Sequence, residues 1–300
     1  MVVAETPSGA RTRLLTRRNF LISSAAAAAG VAFYSNDVAR HELEVTEPTF
    51  FLHNLPPAFD GFRIAQISDL HLEEYTEDYF LTHVIHRVNA LKPDMVLVTG
   101  DFVSRGPLSM AASFAAAGRC AELLGGLNCP IRYGCLGNHD VAVGSTLIRN
   151  HMEANGISML VNQFVPLERG GQQLILGAVD DITFGKPNVL LATPGASEVP
   201  VLLMAHEPDF AAVLARLVPE RRIDLILSGH THGGQIRIPG IGPLALPPMG
   251  RMFPEGHYFV GSSQLYVNRG IGTVGVPFRL NCVPEITLAT LRPAPADAAR

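Results

Sequence analysis

The chain is poor in cysteine. Only four occur in its 300 residues, Cys120, Cys129, Cys135 and Cys282, and their spacing matches no thiolate metal site. So few thiols in so long a chain exclude a disulfide framework, although one bond stays open in an oxidising compartment. A basic excess is also missing. Lysine and arginine number 23 against 27 acidic residues, for a net charge of −4, and this leaves no electrostatic footprint for nucleic acid. No apolar run reaches the roughly 20 residues that span a bilayer; the stretch from Phe20 to Tyr34 offers about 15. Past Tyr34 there is no internal repeat and no long low-complexity segment. What remains is enough chain for one sizeable domain with a full core. Its 28 glycines and 22 prolines suit many loops.

Short β-prone apolar runs recur, each stopping at a polar motif. Phe62–Ser68 ends at Asp69-Leu70-His71, and Met95–Thr99 leads into Gly100-Asp101. Ile131–Leu136 leads into Gly137-Asn138-His139-Asp140, Val201–Met204 to His206, and Leu225–Leu227 to Gly229-His230-Thr231-His232. Runs of this length bounded by Gly or Pro read as buried strands. Helix-like stretches, such as Thr82–Leu91 and Met110–Leu124, lie between them. Strand–helix alternation predicts an α/β architecture with helices outside the sheet. Ligands in such sheets collect beyond the carboxyl ends of the strands, and all five motifs fall there.

The motifs supply two carboxylates, a carboxamide and several imidazoles, and no thiolate. That set suits two adjacent divalent cations such as Mn, Fe or Zn. At a strand end, residues i and i+2 share a face. Asp69 and His71 are therefore expected to meet one ion, and His230 and His232 likewise if Gly229 keeps its turn extended. The carboxylate of Asp101 has two oxygens and can bridge two metals. Asn138 offers a neutral oxygen that leaves the cation a stronger Lewis acid. His139, beside it, can donate a proton to a leaving alkoxide or hold a phosphoryl oxygen. Each motif alone also has an ordinary reading: Gly-Asn-His-Asp as a turn, His206 as a capping or core histidine. The ordered set, each member after a strand, favours the metal reading and with it phosphate-ester hydrolysis.

In that order, Asp69-x-His71, Gly100-Asp101, Gly137-Asn138-His139-Asp140, His206 and Gly229-His230-Thr231-His232 resemble the calcineurin-like metallophosphoesterase family over about Phe62 to His232. Gly233-Gly234-Gln235, Tyr266 to Gly272 and Pro284-Glu285-Ile286 are similar to a branch of exported or membrane-associated phosphodiesterases. The resemblance implies a four-layer αββα sandwich, two mixed β-sheets flanked by helices, with the metals at one edge. It implies that Asp69, His71 and His232 hold the first metal, that Asn138, His206 and His230 hold the second, that Asp101 bridges both, and that His139 is the catalytic histidine outside the ligand set. No ligand position is missing. The expected mechanism is in-line attack on phosphorus by a hydroxide shared between the metals. Two alternatives stand beside it: pyrophosphate cleavage in a UDP-2,3-diacylglucosamine-type lipid precursor, and a non-catalytic binding module held together by its ions.

Other polar residues admit two roles each. Asp180 and Asp181 either line the site or order a loop. Asp140 either orients His139 or caps the next segment. Arg105 is a candidate for substrate contact; Arg237 and His257 are assigned to the surface, and His41, His53, His83, His86 and His151 to structural or solvated positions. Residues 239–254 are expected to loop near the site mouth. At the amino end, Arg11, Arg13, Arg17 and Arg18 precede the apolar stretch, and Thr16-Arg17-Arg18-Asn19-Phe20-Leu21 resembles the twin-arginine export signal. The expected organisation is thus a signal or anchor over 1–39, the metallophosphoesterase domain over 40–292 and a disordered tail over 293–300. The implied partners are a phosphate ester and the twin-arginine export machinery, with association to the inner membrane if the signal is not cleaved. The implied location is periplasmic or extracytoplasmic.

Overall fold

The computed structural model describes residues 16–106 and 109–295. Arg11 and Arg13, and the end of the expected tail, lie outside them. The chain opens with helix α1 (Arg17–Phe33), capped by Thr16, whose side chain accepts the Asn19 N–H, and it buries none of its residues. Five π-helical residues lead into the body. Strands β1 (Glu44–Thr46), β2 (Thr49–Leu52), β3 (Arg63–Ile67), β4 (Met95–Val98), β5 (Arg132–Gly134) and β6 (Ser158–Met159) follow. Helices α2 (Asp78–Leu91), α3 (Met110–Leu124) and α4 (Asn138–Ala154) connect the last four of these. Next come β7 (Gln163–Arg169), β8 (Gln172–Ala178), the single turn α5 (Val189–Ala192), β9 (Val201–Met204), α6 (Phe210–Leu217) and β10 (Leu225–Ser228). The small ribbon β11 (Arg237–Ile238) and β12 (Gly242–Pro243) precedes β13 (Gly256–Val260), β14 (Ser263–Val267) and β15 (Glu285–Pro293). Pro293, placed in the tail on sequence grounds, ends this last strand.

Two mixed sheets result. One runs β1-β15-β3-β4-β5-β6 with β2 also on β15; the other runs β13-β14-β10-β9-β8-β7. Strands β3 to β6 are mutually parallel, as are β8, β9, β10 and β14. The alternation of a pleated strand sorts the core into layers. In β4, Met95 and Leu97 enter the apolar layer between the sheets, while Val96 and Val98 face α2, α3 and α4. In β9, Leu202 and Met204 point between the sheets and Leu203 packs toward α6; in β10, Leu225 and Leu227 do the first and Ile226 the second. Every residue of these strands is buried. Runs covered on both faces carry no polar alternation, which is why they appear in the sequence as continuous apolar stretches. This is the expected four-layer αββα sandwich. All four cysteines are buried and free.

The carboxyl ends of β3, β4, β5, β9, β10 and β14 open on one edge of the sandwich. The backbone there is not extended. Asp69 (φ 51°), His71 (φ 45°), Asp101 (φ 55°), His230 (φ 71°) and His232 (φ 51°) are all left-handed. Asp69 and His71 converge as expected, but strand-end pleating is not the cause: left-handed residues after β3, β4 and β10 direct these side chains. Such conformations cost about 1–2 kcal/mol each outside glycine, and they persist only where surrounding structure over-determines them. Here a ladder does so. Asp69 N–H donates to Gly100 O at 3.0 Å, Leu70 N–H to Asp101 O at 2.8 Å and Leu72 N–H to Phe102 O at 3.1 Å.

Candidate metal centre

Each side chain of the site is held by groups behind it. Asp69 accepts the His230 N–H on both carboxylate oxygens, at 3.0 and 2.9 Å. Asp101 Oδ1 accepts the His139 N–H at 2.9 Å, which leaves Oδ2 free to face the histidines. Oδ2 lies 3.2 Å from His206 Nε2 and 3.6 Å from His71 Nε2. His232 Nε2 lies 3.4 Å from Asp69 Oδ1 and 3.1 Å from His71 Nε2. Asn138 Oδ1 is 3.0 Å from His230 Nδ1. Donor atoms gather in three overlapping groups: Asp69, His71 and His232; His71, Asp101 and His139; Asp101, His206 and His230. His230 and His232, two apart in sequence, fall into different groups.

The ring nitrogens turned away from the centre are bonded. His71 Nδ1 meets Ser104 Oγ at 2.7 Å, His206 Nδ1 meets Thr99 O at 2.7 Å and His232 Nδ1 meets Gly272 O at 3.2 Å. His230 is reversed: its Nε2 meets Pro248 O at 2.8 Å. A carbonyl only accepts, so the ring nitrogen against it carries the proton and the opposite nitrogen presents a lone pair. The inward Nε2 of His206 has no hydrogen-bond partner although it is buried. An orphaned lone pair, two carboxylates, an amide oxygen and further imidazoles form a donor set that fits divalent cations and no other common occupant.

Charge follows the same logic. Burial lowers His71 to about 3 and His230 to about 4, and carries His232 well below its ordinary value with help from His71 and Arg279. All three rings are neutral near pH 7, the state a metal ligand needs. Burial raises Asp69 to about 6, and the Asp101 charge adds to that rise. Burial opposes charge on Asp101 as well, yet His206 and His139 hold its carboxyl well below the usual range. The carboxylates of Asp101 and Asp69 in turn raise His206 well above its usual value against the pull of burial.

Several residues that carry the site give no signal in the motifs. Ser104 is one. Arg279 is another: fully buried, it donates to the carbonyls of Arg269, Gly270, Gly272 and Cys282. Gly270 (φ 69°) lies so close to Asp69 that a Cβ would stand 2.7 Å from Asp69 Cβ. Asn268 fixes that loop, accepting the Gly270 N–H at 2.7 Å and donating to Thr287 Oγ1 at 2.8 Å. The Asn-Arg-Gly-Ile-Gly run after a strand was the legible trace of this support.

Residues with two expected roles resolve as follows. Asp140 does not touch His139; it caps α4 at Gly137 and accepts the N–H groups of Asp101 and Phe102 at 2.8 and 2.9 Å. His139 is oriented by Arg105 instead, whose backbone N–H donates to Nδ1 at 2.9 Å. That bond leaves the ring proton on Nε2. Asp180 and Asp181 order a loop, accepting the N–H groups of Lys186, Phe184 and Gly185. Asp181 is buried near Glu207, and burial together with that carboxyl raises it to about 7. Arg237 pairs with Glu255, and His257 stacks against Phe50 away from the centre. Residues 244–247 do border the site.

A sandwich with two clusters of Asp and His at one edge defines a metal-dependent phosphoric ester hydrolase of the dinuclear kind. Comparison with known proteins agrees. The sequence profile described as calcineurin-like phosphoesterase matches residues 62–234. Metallophosphoesterase YkuE of Bacillus subtilis (strain 168) is 35% identical over 289 residues, covering 93% of this chain and 98% of that protein. Phosphodiesterase YaeI of Escherichia coli (strain K12) is 31% identical over 292 residues, covering 93% and 100%. Transmembrane protein with metallophosphoesterase domain from Bos taurus is 29% identical over 264 residues, covering 81% and 56%. The chain belongs to the calcineurin-like phosphoesterase family.

Two outcomes follow from this geometry. Ser104→Ala and Arg279→Lys remove support for His71 and for the Gly272 carbonyl. Each should weaken divalent-metal affinity about 10–100-fold, read by competition with a chelator; unchanged affinity in both would remove the role assigned to that support. Separately, folded Asp181 keeps its proton to about pH 7 while an unfolded aspartate loses it near 3.9. Its contribution to stability is present at low pH and is lost as pH rises through about 7. Asp181→Asn keeps the neutral form throughout, so its melting temperature relative to the parent should rise between about pH 5 and about pH 8.5. A constant difference across that range would contradict the shift.

Proposed function

We propose that the protein is an exported phosphodiesterase. In this reading Asp69, His71 and His232 hold one metal, Asn138, His206 and His230 hold the other, and Asp101 bridges the two. The observation that carries it is the position of Asp101 Oδ2, within 3.6 Å of ring nitrogens from both groups. Two dications bound there supply Lewis-acid polarisation of phosphate oxygens and an acidified water. The protein's own groups do the rest. The carboxylates of Asp69 and Asp101 offset only part of the cationic charge, so the site attracts an anionic phosphate. His139, its Nδ1 occupied by Arg105 N–H, directs Nε2–H toward the pocket it lines. That N–H is placed to hold a phosphoryl or leaving oxygen by a hydrogen bond as charge builds on it, the proton staying on the ring. The name of the Escherichia coli relative, a phosphodiesterase, supports diesters over monoesters.

The amino end supports export. Arg17 and Arg18 open a helix whose apolar side chains, Phe20, Leu21, Ile22, Val31 and Phe33 among them, are all exposed. Such a segment is targeting sequence rather than fold. We read residues 1–39 as the twin-arginine signal, 40–292 as the enzyme, and the location as extracytoplasmic with attachment to the membrane where the signal is kept. Among the described residues no helix is long and apolar enough to cross a membrane. The bovine relative is named a transmembrane protein with a metallophosphoesterase domain.

Asp101→Asn should lower turnover of a bis-aryl phosphodiester in Mn-loaded protein by at least about 100-fold, with the melting temperature little changed. Turnover equal to the parent would defeat the bridging assignment. His139→Ala should lower turnover by about 10²–10⁴-fold while two metals per chain are retained on elemental analysis. Replacing Arg17 and Arg18 by Lys should leave the protein in the cytoplasmic fraction, and undiminished export of that variant would refute the signal.

A further inference from the structure

The metal centre opens sideways into a trough of about 490 Å³, within the range of small-molecule sites. One wall is the site itself: Asn138, His139, His230 and His232. The other walls are apolar, formed by Ile236, Leu244, Leu246, Pro247, Val274 and Val276. We propose that this trough seats the hydrocarbon part of an amphipathic phosphoester whose phosphate lies at the metals. The inference rests on the phosphoesterase reading and names the substrate class of that same site.

The trough is continuous with the ligands rather than a separate patch. The segment carrying Leu244 to Pro247 continues to Pro248, whose carbonyl fixes His230. The segment carrying Val274 and Val276 begins at Gly272, whose carbonyl fixes His232. Gln235, just after the histidine turn, holds the second segment, accepting the Val274 N–H at 2.6 Å and donating to its carbonyl at 3.2 Å. A phosphate held at the metals therefore has this apolar surface beside it for one substituent.

The walls also say what that substituent is not. Among the described residues no lysine, arginine or carboxylate lines the trough. Its two polar side chains outside the site are already engaged: Gln235 with Val274, and Thr231 with the Pro254 carbonyl at 2.6 Å. A sugar or a base placed there would find no free partner and would leave its own polar groups unpaired. Meanwhile Leu244 is 58% exposed and Val276 is 42% exposed, apolar surface that an alkyl chain would cover. The same stretch links to the amino-terminal segment. Arg279, three residues past Val276, donates its backbone N–H to Ser35 O at 3.0 Å, and Ser35 lies two residues beyond the end of the exposed apolar helix α1. The stretch that walls the trough is thus bonded to the residues that follow α1.

The test uses the metal-loaded full chain and p-nitrophenyl phosphodiesters bearing methyl, butyl, octyl or dodecyl groups, each below its micelle concentration. A half-open trough recovers about half of the transfer free energy of each methylene, so kcat/KM should rise about two-fold per methylene through a falling KM. The Leu244→Asp, Val276→Asp double variant should cut the octyl-to-methyl ratio of kcat/KM at least about ten-fold; both side chains are exposed, and circular dichroism checks the fold. Calorimetric titration with methyl to dodecyl phosphonates reads the trough without turnover. Affinity that climbs with chain length supports it, and if no ester is then hydrolysed the phosphoesterase reading fails while the trough stands. A flat series in both measurements, or in the wild type alone should the variant not fold, overturns the trough. A lysophospholipid and an alkyl pyrophosphate ester run in parallel show which linkage the apolar group normally carries.

Discussion

The site depends on burying negative charge where nothing neutral can satisfy it. Asp69 and Asp101 are almost wholly enclosed, and their free oxygens point at ring nitrogens instead of at water. A buried carboxylate is costly unless paired. The protein places no lysine against either one; its nearest fixed cation is Arg279, which is spent on backbone carbonyls. The inward ring nitrogens, His206 Nε2 among them, bring lone pairs and no fixed charge. A pair of dications held there would supply the positive charge the carboxylates lack. The same shortfall that destabilises the bare cluster is the source of metal affinity.

Holding such a cluster falls to the sheet edges. Five of its residues sit in left-handed turns, each immediately after a buried strand. The strands are too well covered to shift, so the turns inherit their precision. Asp140 adds a second clamp. Through one carboxylate it gathers the N–H groups of Gly137, Asp101 and Phe102, joining the turn after β4 to the start of α4. Glycine is needed where the turns touch. A Cβ on Gly137 would stand 2.2 Å from Asp101 Oδ1, and one on Gly229 would stand 2.3 Å from Asp69 Oδ2. These glycines let backbone approach the carboxylates and donate to them from close range.

Much of this was legible in the sequence because it depends on local pattern. Buried strands show as short apolar runs, and β4, β9 and β10 fall where those runs lie. Helix α3 spans the stretch expected of it. The motif residues converge because parallel strands share one carboxyl edge, a property of the fold class. What escaped was long-range. Ser104 and Arg279 look like any loop serine and any late arginine; their roles come from contacts across the sandwich. The edge strands β7 and β13 carry half-exposed patterns, which periodicity marks weakly. Asp69 and His71 do meet in one donor group, but not through the pleat expected of them. Spacing of two implies a shared face only in extended backbone, and the turns here are left-handed.

That left-handed turn also explains how one short motif serves two metals. In extended chain, His230 and His232 would project the same way and compete for one ion. Instead φ is positive at both residues, and Thr231 between them stays right-handed, its side chain bonded to Pro254. The turn rotates one ring toward Asn138 and His206 and the other toward Asp69 and His71. Opposite nitrogens are then presented, Nδ1 from His230 and Nε2 from His232, because Pro248 and Gly272 approach from opposite sides. The division of labour within Gly229-His230-Thr231-His232 is therefore set by the loops behind it. Those loops are the same two that wall the apolar trough, so metal ligation and the shape of the adjoining pocket are fixed by one set of backbone contacts.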